Sequence, residues 1–362
     1  MARKQAEQGA RTEEILRWYF LEQGFFVVRA LKLRHNSVDV TDVDLWLYQR
    51  PSALVRERII VDARDRRQAK AMERILWAVG VRDMIGVDRC VVATTDRRSE
   101  VKEFASKGNV LILDGRVLSR LEGHFASATG RLTEENFALE VFPRGDEKLL
   151  RDWRGRIDES KARLLHGISF DGCNAWLEDA GYFLDAARPG LPQGDAALRL
   201  AYLTLAFFLI GLDWVMRHTA FEERDSRIAH LEGGFRFGSK GRDGFENLLR
   251  TSESLLVKFF PDMSGTAATV RNRARNELNT LPAEGLAQFF ARSDVYLKLF
   301  PMACTFEQAA FAENLCRPSE LDVPLQAVVG AVLDFFGSSR TGFLGSDNSG
   351  VASVNAHTEV EK

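Results

Sequence analysis

Apolar positions in the first third of the chain switch between two periods, and the switching predicts a layered α/β unit. Thr12 to Gln23 (TEEILRWYFLEQ) is apolar at helical spacing and stops at Gly24, a helix-ending residue. Phe25 to Leu31 (FFVVRAL) reads as a strand. Val43 to Tyr48 and Arg58 to Arg64 alternate with period two, as half-buried strands do. A helix follows from about Arg67 to Val81, with Ala69, Met72, Ile75, Leu76 and Val79 on one face. Arg89 to Ala93 and Val110 to Leu113 are short apolar runs of buried-strand type, with helical Glu100 to Lys107 between them and Gly115 to Leu121 after. The order is helix, three strands, helix, strand, helix, strand, helix. The closing strand–helix–strand stretch demands a parallel pairing, so the expectation is an α/β sandwich with a mixed sheet flanked by helices.

From about Phe125 to Asp146 the periodicity fades, and beyond it the pattern is helical nearly throughout. Amphipathic stretches run over Asp152–Leu165, Ala175–Ala186, Ala196–Arg217, Phe245–Phe259, Ala267–Asn279, Leu286–Leu299 and Leu325–Phe336. The end from Gly337 is rich in Gly, Ser and Asn, a composition of disordered tails. The expected organisation is an α/β domain over 1–124, a linker over 125–146, an all-α domain over 147–336 and a tail over 337–362.

Composition narrows the class. Hydrophobic residues at 45% and charged residues at 28% fit a soluble globular protein. The net charge of −2 hides an asymmetry: residues 1–122 hold 23 Lys+Arg against 18 Asp+Glu, and the remainder 26 against 33. A positive first part suits a polyanionic partner. Cys90, Cys173, Cys304 and Cys316 lie far apart without metal-binding spacing and read as reduced thiols of a cytoplasmic protein. The start has no apolar run of signal-peptide type. Leu200 to Leu212 is apolar but too short to span a bilayer, so a core helix and no membrane association are expected.

The candidate chemistry lies on the two alternating strands. Ile60, Asp62 and Arg64 point to one face of their strand, opposite Ile59, Val61 and Ala63; Val43, Leu45 and Leu47 share a face opposite Asp44. Adjacent strands then set Asp44 and Asp62 on one rim with a cation beside them. Paired carboxylates suit a hard divalent ion, which activates water and neutralises charge on a scissile phosphate. Equally, each aspartate could end a strand or pair with one of the many nearby arginines.

Order and spacing from Thr12 to Leu121 resemble the Mrr-like restriction endonucleases of the PD-(D/E)XK superfamily. The residues are EEILRWYFLEQGF, the first strand DVDLW, the second strand IIVDARDRRQ, then RCVVATTD and NVLILDG. The resemblance covers about the first 120 residues. It implies a restriction-endonuclease-like fold and Mg²⁺- or Mn²⁺-dependent cleavage of DNA in prokaryotic defence. It also implies metal binding by Asp44 and Asp62, with a further carboxylate from Glu13 or Glu14.

One departure stands inside the motif. The family's acidic–x–Lys is here Asp62–Ala63–Arg64, and arginine stays protonated and cannot act as a base. Arg64 would then hold a phosphate, with Lys70 as a displaced lysine and Gln68 similarly placed. A catalytically degenerate domain that binds nucleic acid or a partner is the alternative. Arg66, Arg67, Lys70 and Arg74 would grip phosphates beside the cut, or form a solvated helix face. The helical region would recognise a target, form a homodimer or dock a partner protein. Gly233 to Gly244 lacks the Gly-Lys-Ser/Thr order of a phosphate loop and reads as a flexible loop, while Arg224 and His230 have the spacing of HEPN-type ribonucleases.

Overall fold

A computed structural model describes residues 2–36, 38–64, 71–125, 130–142, 147–219, 221–260, 262 and 264–344. The first region runs α1 (Ala2–Glu22), β1 (Phe26–His35), β2 (Val38–Gln49), β3 (Glu57–Arg64), α2 (Ala71–Ile85), β4 (Arg89–Thr94), α3 (Ser99–Lys107), β5 (Val110–Leu113) and α4 (Gly115–Phe125). The five strands stand in sequence order in one sheet. β1–β2 and β2–β3 are antiparallel, whereas β3–β4 and β4–β5 are parallel. This is the mixed sheet that the order of elements requires. The helix expected from about Arg67 is described from Ala71.

Alternation along the strands builds two cores. Leu45, Leu47, Ile59, Val61, Ala63, Val91 and Ala93 pack with Leu16 and Phe20 of α1, and Val117, Leu118 and Leu121 of α4 close over them. Trp46, Tyr48, Ile60, Cys90 and Val92 face the other way, into a core that takes Ile75 of α2 and Val101 of α3. That second core continues without a break into the helical region, where the Phe26 and Phe207 rings meet edge to face with centroids 6.3 Å apart.

The helical region comprises α5 (Glu134–Val141), α6 (Glu147–Arg163), α7 (Phe170–Ala186), α8 (Gly194–Val215), α9 (Arg224–Phe237), α10 (Gly241–Phe259), α11 (Ser264–Thr280), α12 (Ala283–Phe290), α13 (Ser293–Tyr296), α14 (Leu299–Phe311), α15 (Val323–Phe335) and α16 (Thr341–Leu344). Several expectations change here. The segment read as a linker carries α5, whose N-cap Thr133 accepts the Asn136 N–H and whose Phe137 stacks on Phe311 at 4.1 Å. Gly233–Gly244 is no flexible loop: it closes α9, makes one tight turn and opens α10. Leu286–Leu299 is broken into α12 and α13, with α14 beginning at its end.

α8 is the axis of the region, with every residue from Ala196 to Asp213 buried. With its following turn, Gly194–His218 is long and apolar enough to cross a bilayer, longer than the apolar run alone suggests, yet 94% of its most apolar 18-residue stretch is buried inside the protein. Its polar ends anchor it. Arg199 donates to the carbonyls of Ala310 and Ala312 at 2.8 and 2.7 Å, capping α14. Asp213 accepts Tyr48 Oη at 2.6 Å and Arg50 Nη1 at 2.8 Å, and pairs with Arg56 Nε at 2.7 Å.

Candidate functional site

Register brings the two aspartates together. Leu45 lies opposite Val61 and Trp46 opposite Ile60, so one further step sets Asp44 opposite Asp62. The inward residues fix that register, since a slip by one would turn Leu45, Leu47, Ile59 and Val61 out of their core. Asp44 Oδ2 accepts the backbone N–H of Ala63 at 2.7 Å, which holds its carboxylate against the end of β3, beside Asp62.

The neighbouring strand is distorted at the same level. Ala30 has φ 58° and sits between the pairs Arg29–Leu45 and Leu31–Val43. A left-handed alanine costs about 1–2 kcal/mol. Alternation breaks at this step: Val43 joins Leu31 and Leu33 in the larger core instead of lying with Leu45 and Leu47 as period two predicts. Such outliers concentrate where surrounding structure holds a strained conformation, often at sites.

Asp62 is 1% exposed. Its charge is met by Arg74 of α2, whose Nε donates to Oδ2 at 2.8 Å and whose Nη2 donates to Oδ1. The guanidinium lies over the Trp77 ring, 4.1 Å from its centroid. Burial lowers the Arg74 pKa, and the charge of Asp44 opposes that shift. Arg74 therefore faces both aspartates, with 23% of its side chain left exposed.

Of the two candidate glutamates, Glu13 faces this site and Glu14 does not. Burial raises the Glu13 pKa, the Arg29 cation opposes, and the negative charge of Asp44 adds to the rise. Arg29 Nε donates to Glu13 Oε2 at 2.9 Å. Glu14 is buried and accepts Arg29 Nη1 at 3.0 Å and Arg17 Nη1 at 3.3 Å. Arg17 in turn donates to Glu307 of α14 at 3.0 Å. Glu14 thus belongs to a buried charge network that ties α1 to the helical region.

The alternation of Ile60 and Asp62 against Val61 and Ala63 is as the strand pattern predicts. Arg64 ends β3 by its backbone. Its side chain, and Arg66, Arg67, Gln68 and Lys70, lie outside the described residues. Among the described residues, no group of three or more His, Cys, Asp or Glu is spaced to hold a metal ion. The site residues that sequence reasoning passed over are Arg29 and Ala30. Arg29 left a trace, a single charge inside the apolar run FFVVRAL.

Other features lie apart. A cleft of about 780 Å³ opens at the β1–β2 turn between Arg34, His35, Asp39, Glu159 and His166. Arg224 and His230 are exposed on α9, with the His230 ring 5.1 Å from that of Phe170. Comparison with protein-family models, with curated proteins and with solved structures gave no match in any of the three.

Proposed function

We propose that the chain is a metal-dependent DNA phosphodiesterase of restriction or defence, acting in the cytoplasm, as the resemblance of its first third to PD-(D/E)XK nucleases implies. The observation that carries this reading is the juxtaposition of Asp44 and Asp62 at the end of two neighbouring strands. Mg²⁺ is commonly held by one or two carboxylates, with water and phosphate oxygens filling its other positions. A two-aspartate donor set fits that habit, and Glu13 adds a third negative charge felt by Asp44. Bound there, Mg²⁺ or Mn²⁺ would supply Lewis-acid stabilisation of charge on the phosphate. Asp44 and Asp62 would hold it, with Glu13 assisting. Arg64 would clamp a phosphate oxygen as a bidentate donor, and Lys70 or Gln68 would orient the attacking water. Arg74 must leave Asp62 for this to happen.

That last requirement favours a second reading. Arg74 already satisfies the buried Asp62 through two hydrogen bonds, as in a nuclease fold kept for binding nucleic acid or a partner. The test is incubation of wild type, Asp62→Ala and Arg64→Lys with plasmid DNA and Mg²⁺ or Mn²⁺, beside a binding assay. Cleavage by wild type that is lost in Asp62→Ala, with binding kept, is the expected result. Binding without cleavage by wild type and Asp62→Ala alike selects the second reading, and the loss of both overturns each.

A further inference from the structure

A small cleft of about 150 Å³ opens where α1, α4 and the loop after β4 meet. Arg11, Thr12, Thr95, Arg97, Ser119 and Glu122 give it polar walls. Its place follows from the strand register. Asp62 stands opposite Val92 and Arg64 opposite Thr94 across the parallel β3–β4 pair. Thr95 comes next, roughly 10 Å from Asp62 at the usual strand rise and spacing. On the other wall, Thr12 directly precedes Glu13 in α1. The cleft therefore opens on the same edge of the sheet as the two aspartates, one strand along. Ligands of open α/β sheets gather at this carboxyl edge of the parallel strands.

The acidic neighbours are already taken. Asp96 holds Arg98, with Oδ2 2.7 Å from Nη2, and Asp114 holds Lys102 at 2.6 Å. Glu122 pairs with Arg11 at 3.4 Å. Arg97 and Arg116 are exposed, and neither side chain has a hydrogen-bond or ion-pair partner among the described residues. Of these two, Arg97 alone lines the cleft. Gly115 brings the walls together: a Cβ there would stand 2.7 Å from the Thr95 carbonyl oxygen and 3.2 Å from Arg97 Nε. A larger residue would push the start of α4 off that loop.

We propose that this cleft is a phosphate subsite, where Arg97 takes a backbone phosphate of nucleic acid beside the one at the aspartates. The assignment rests on the nucleic-acid reading given above. A guanidinium fork matches two phosphate oxygens, and the Thr95 hydroxyl offers a further donor. A free phosphate shares this chemistry, but the aspartates on the same edge favour a strand that passes both places.

Binding of a labelled DNA duplex without divalent metal, between about 50 and 200 mM salt, tests this. Losing one phosphate contact lowers the salt slope by about 0.9, so Arg97→Gln should weaken binding on the order of 10-fold at 50 mM and about 4-fold at 200 mM. Arg97→Lys keeps the charge and should restore the slope. Arg116→Gln removes a neighbouring cation outside the cleft and should change both quantities far less. Since Arg97 has no partner in the fold, the urea midpoints of its variants should match wild type. Equal binding by wild type and Arg97→Gln, or equal losses in Arg97→Gln and Arg116→Gln, would overturn the subsite while the nucleic-acid reading stands. A wild type that binds no DNA overturns both. Inorganic phosphate that raises the melting temperature of such a wild type but not of Arg97→Gln would assign the cleft to a free phosphate, and also overturn the proposal.

Discussion

Arg74 and Asp62 form a two-pronged pair between the first turn of α2 and the end of β3, with Nε and Oδ2 2.8 Å apart. The aspartate is sealed from solvent on one side of the pair, and the arginine side chain keeps 23% of its exposure on the other. Whatever binds Asp62 must first compete with this guanidinium.

Arg74→Ala should therefore destabilise the metal-free protein by about 1–3 kcal/mol, the cost of removing a charged hydrogen-bonding partner from a buried group. If Asp44 and Asp62 hold a divalent ion, Mg²⁺ or Mn²⁺ should raise the melting temperature of Arg74→Ala more than that of wild type. Equal shifts in both proteins count against a metal at Asp62.

Asp213 should be the most costly single carboxylate at the junction between sheet and helices. Its removal strands Arg56 and Arg50, whose side chains are 1% and 8% exposed. Asp213→Ala should cost about 3–5 kcal/mol, read as a lower midpoint in urea. Asp213→Asn should cost less, since an acceptor for Tyr48 remains.

The cap of α4 gives a pH signature. The Lys102 ammonium, 2.6 Å away, and the N–H groups of Arg116 and Val117 hold Asp114 down to about 2 against the opposing effect of burial. A carboxylate depressed in the fold contributes stability in full above its unfolded value, and loses it as pH falls through the folded one. The difference in urea midpoint between wild type and Asp114→Asn should be constant above about pH 5 and shrink between about pH 4 and pH 2. A difference that stays level across this window would exclude the ion pair.

Gly211 lets α8 approach α7: a Cβ there would stand 2.7 Å from the Trp176 ring and 2.9 Å from Cys173 Sγ. Gly211→Ala should cost about 1–3 kcal/mol by overpacking. Gly233→Ala, on a surface with nothing within 4 Å, is the control and should be neutral or slightly stabilising.

Local pattern was sufficient for the sheet. Period-two alternation at Val43–Tyr48 and Arg58–Arg64 settled which side chains of β3 face which core, and the closing strand–helix–strand order required the parallel pairs. It was misleading where neighbours override it. Val43 changes core because the left-handed Ala30 beside it breaks the alternation of both strands, and no residue type at position 43 records that. The linker expectation at 125–146 missed α5, a helix of one buried stripe, Phe137 and Val141, held by its contact with Phe311.

For the candidate site, the chain by itself determined the residues and their sides: Asp44 and Asp62 on neighbouring strands, with acidic Glu13 and Glu14 on the first helix. Periodicity carries that information, because the side-chain directions of a strand or helix follow from backbone geometry alone. Tertiary structure decided the pairings. Arg74 turns in to Asp62, Arg29 takes Glu13 on the side of Asp44, and Glu14 is drawn with Arg17 toward Glu307. These partners lie 12 to 290 residues apart or are chosen among several candidates within reach. Buried charges must find opposite charges wherever packing delivers them, and packing is a property of the whole fold.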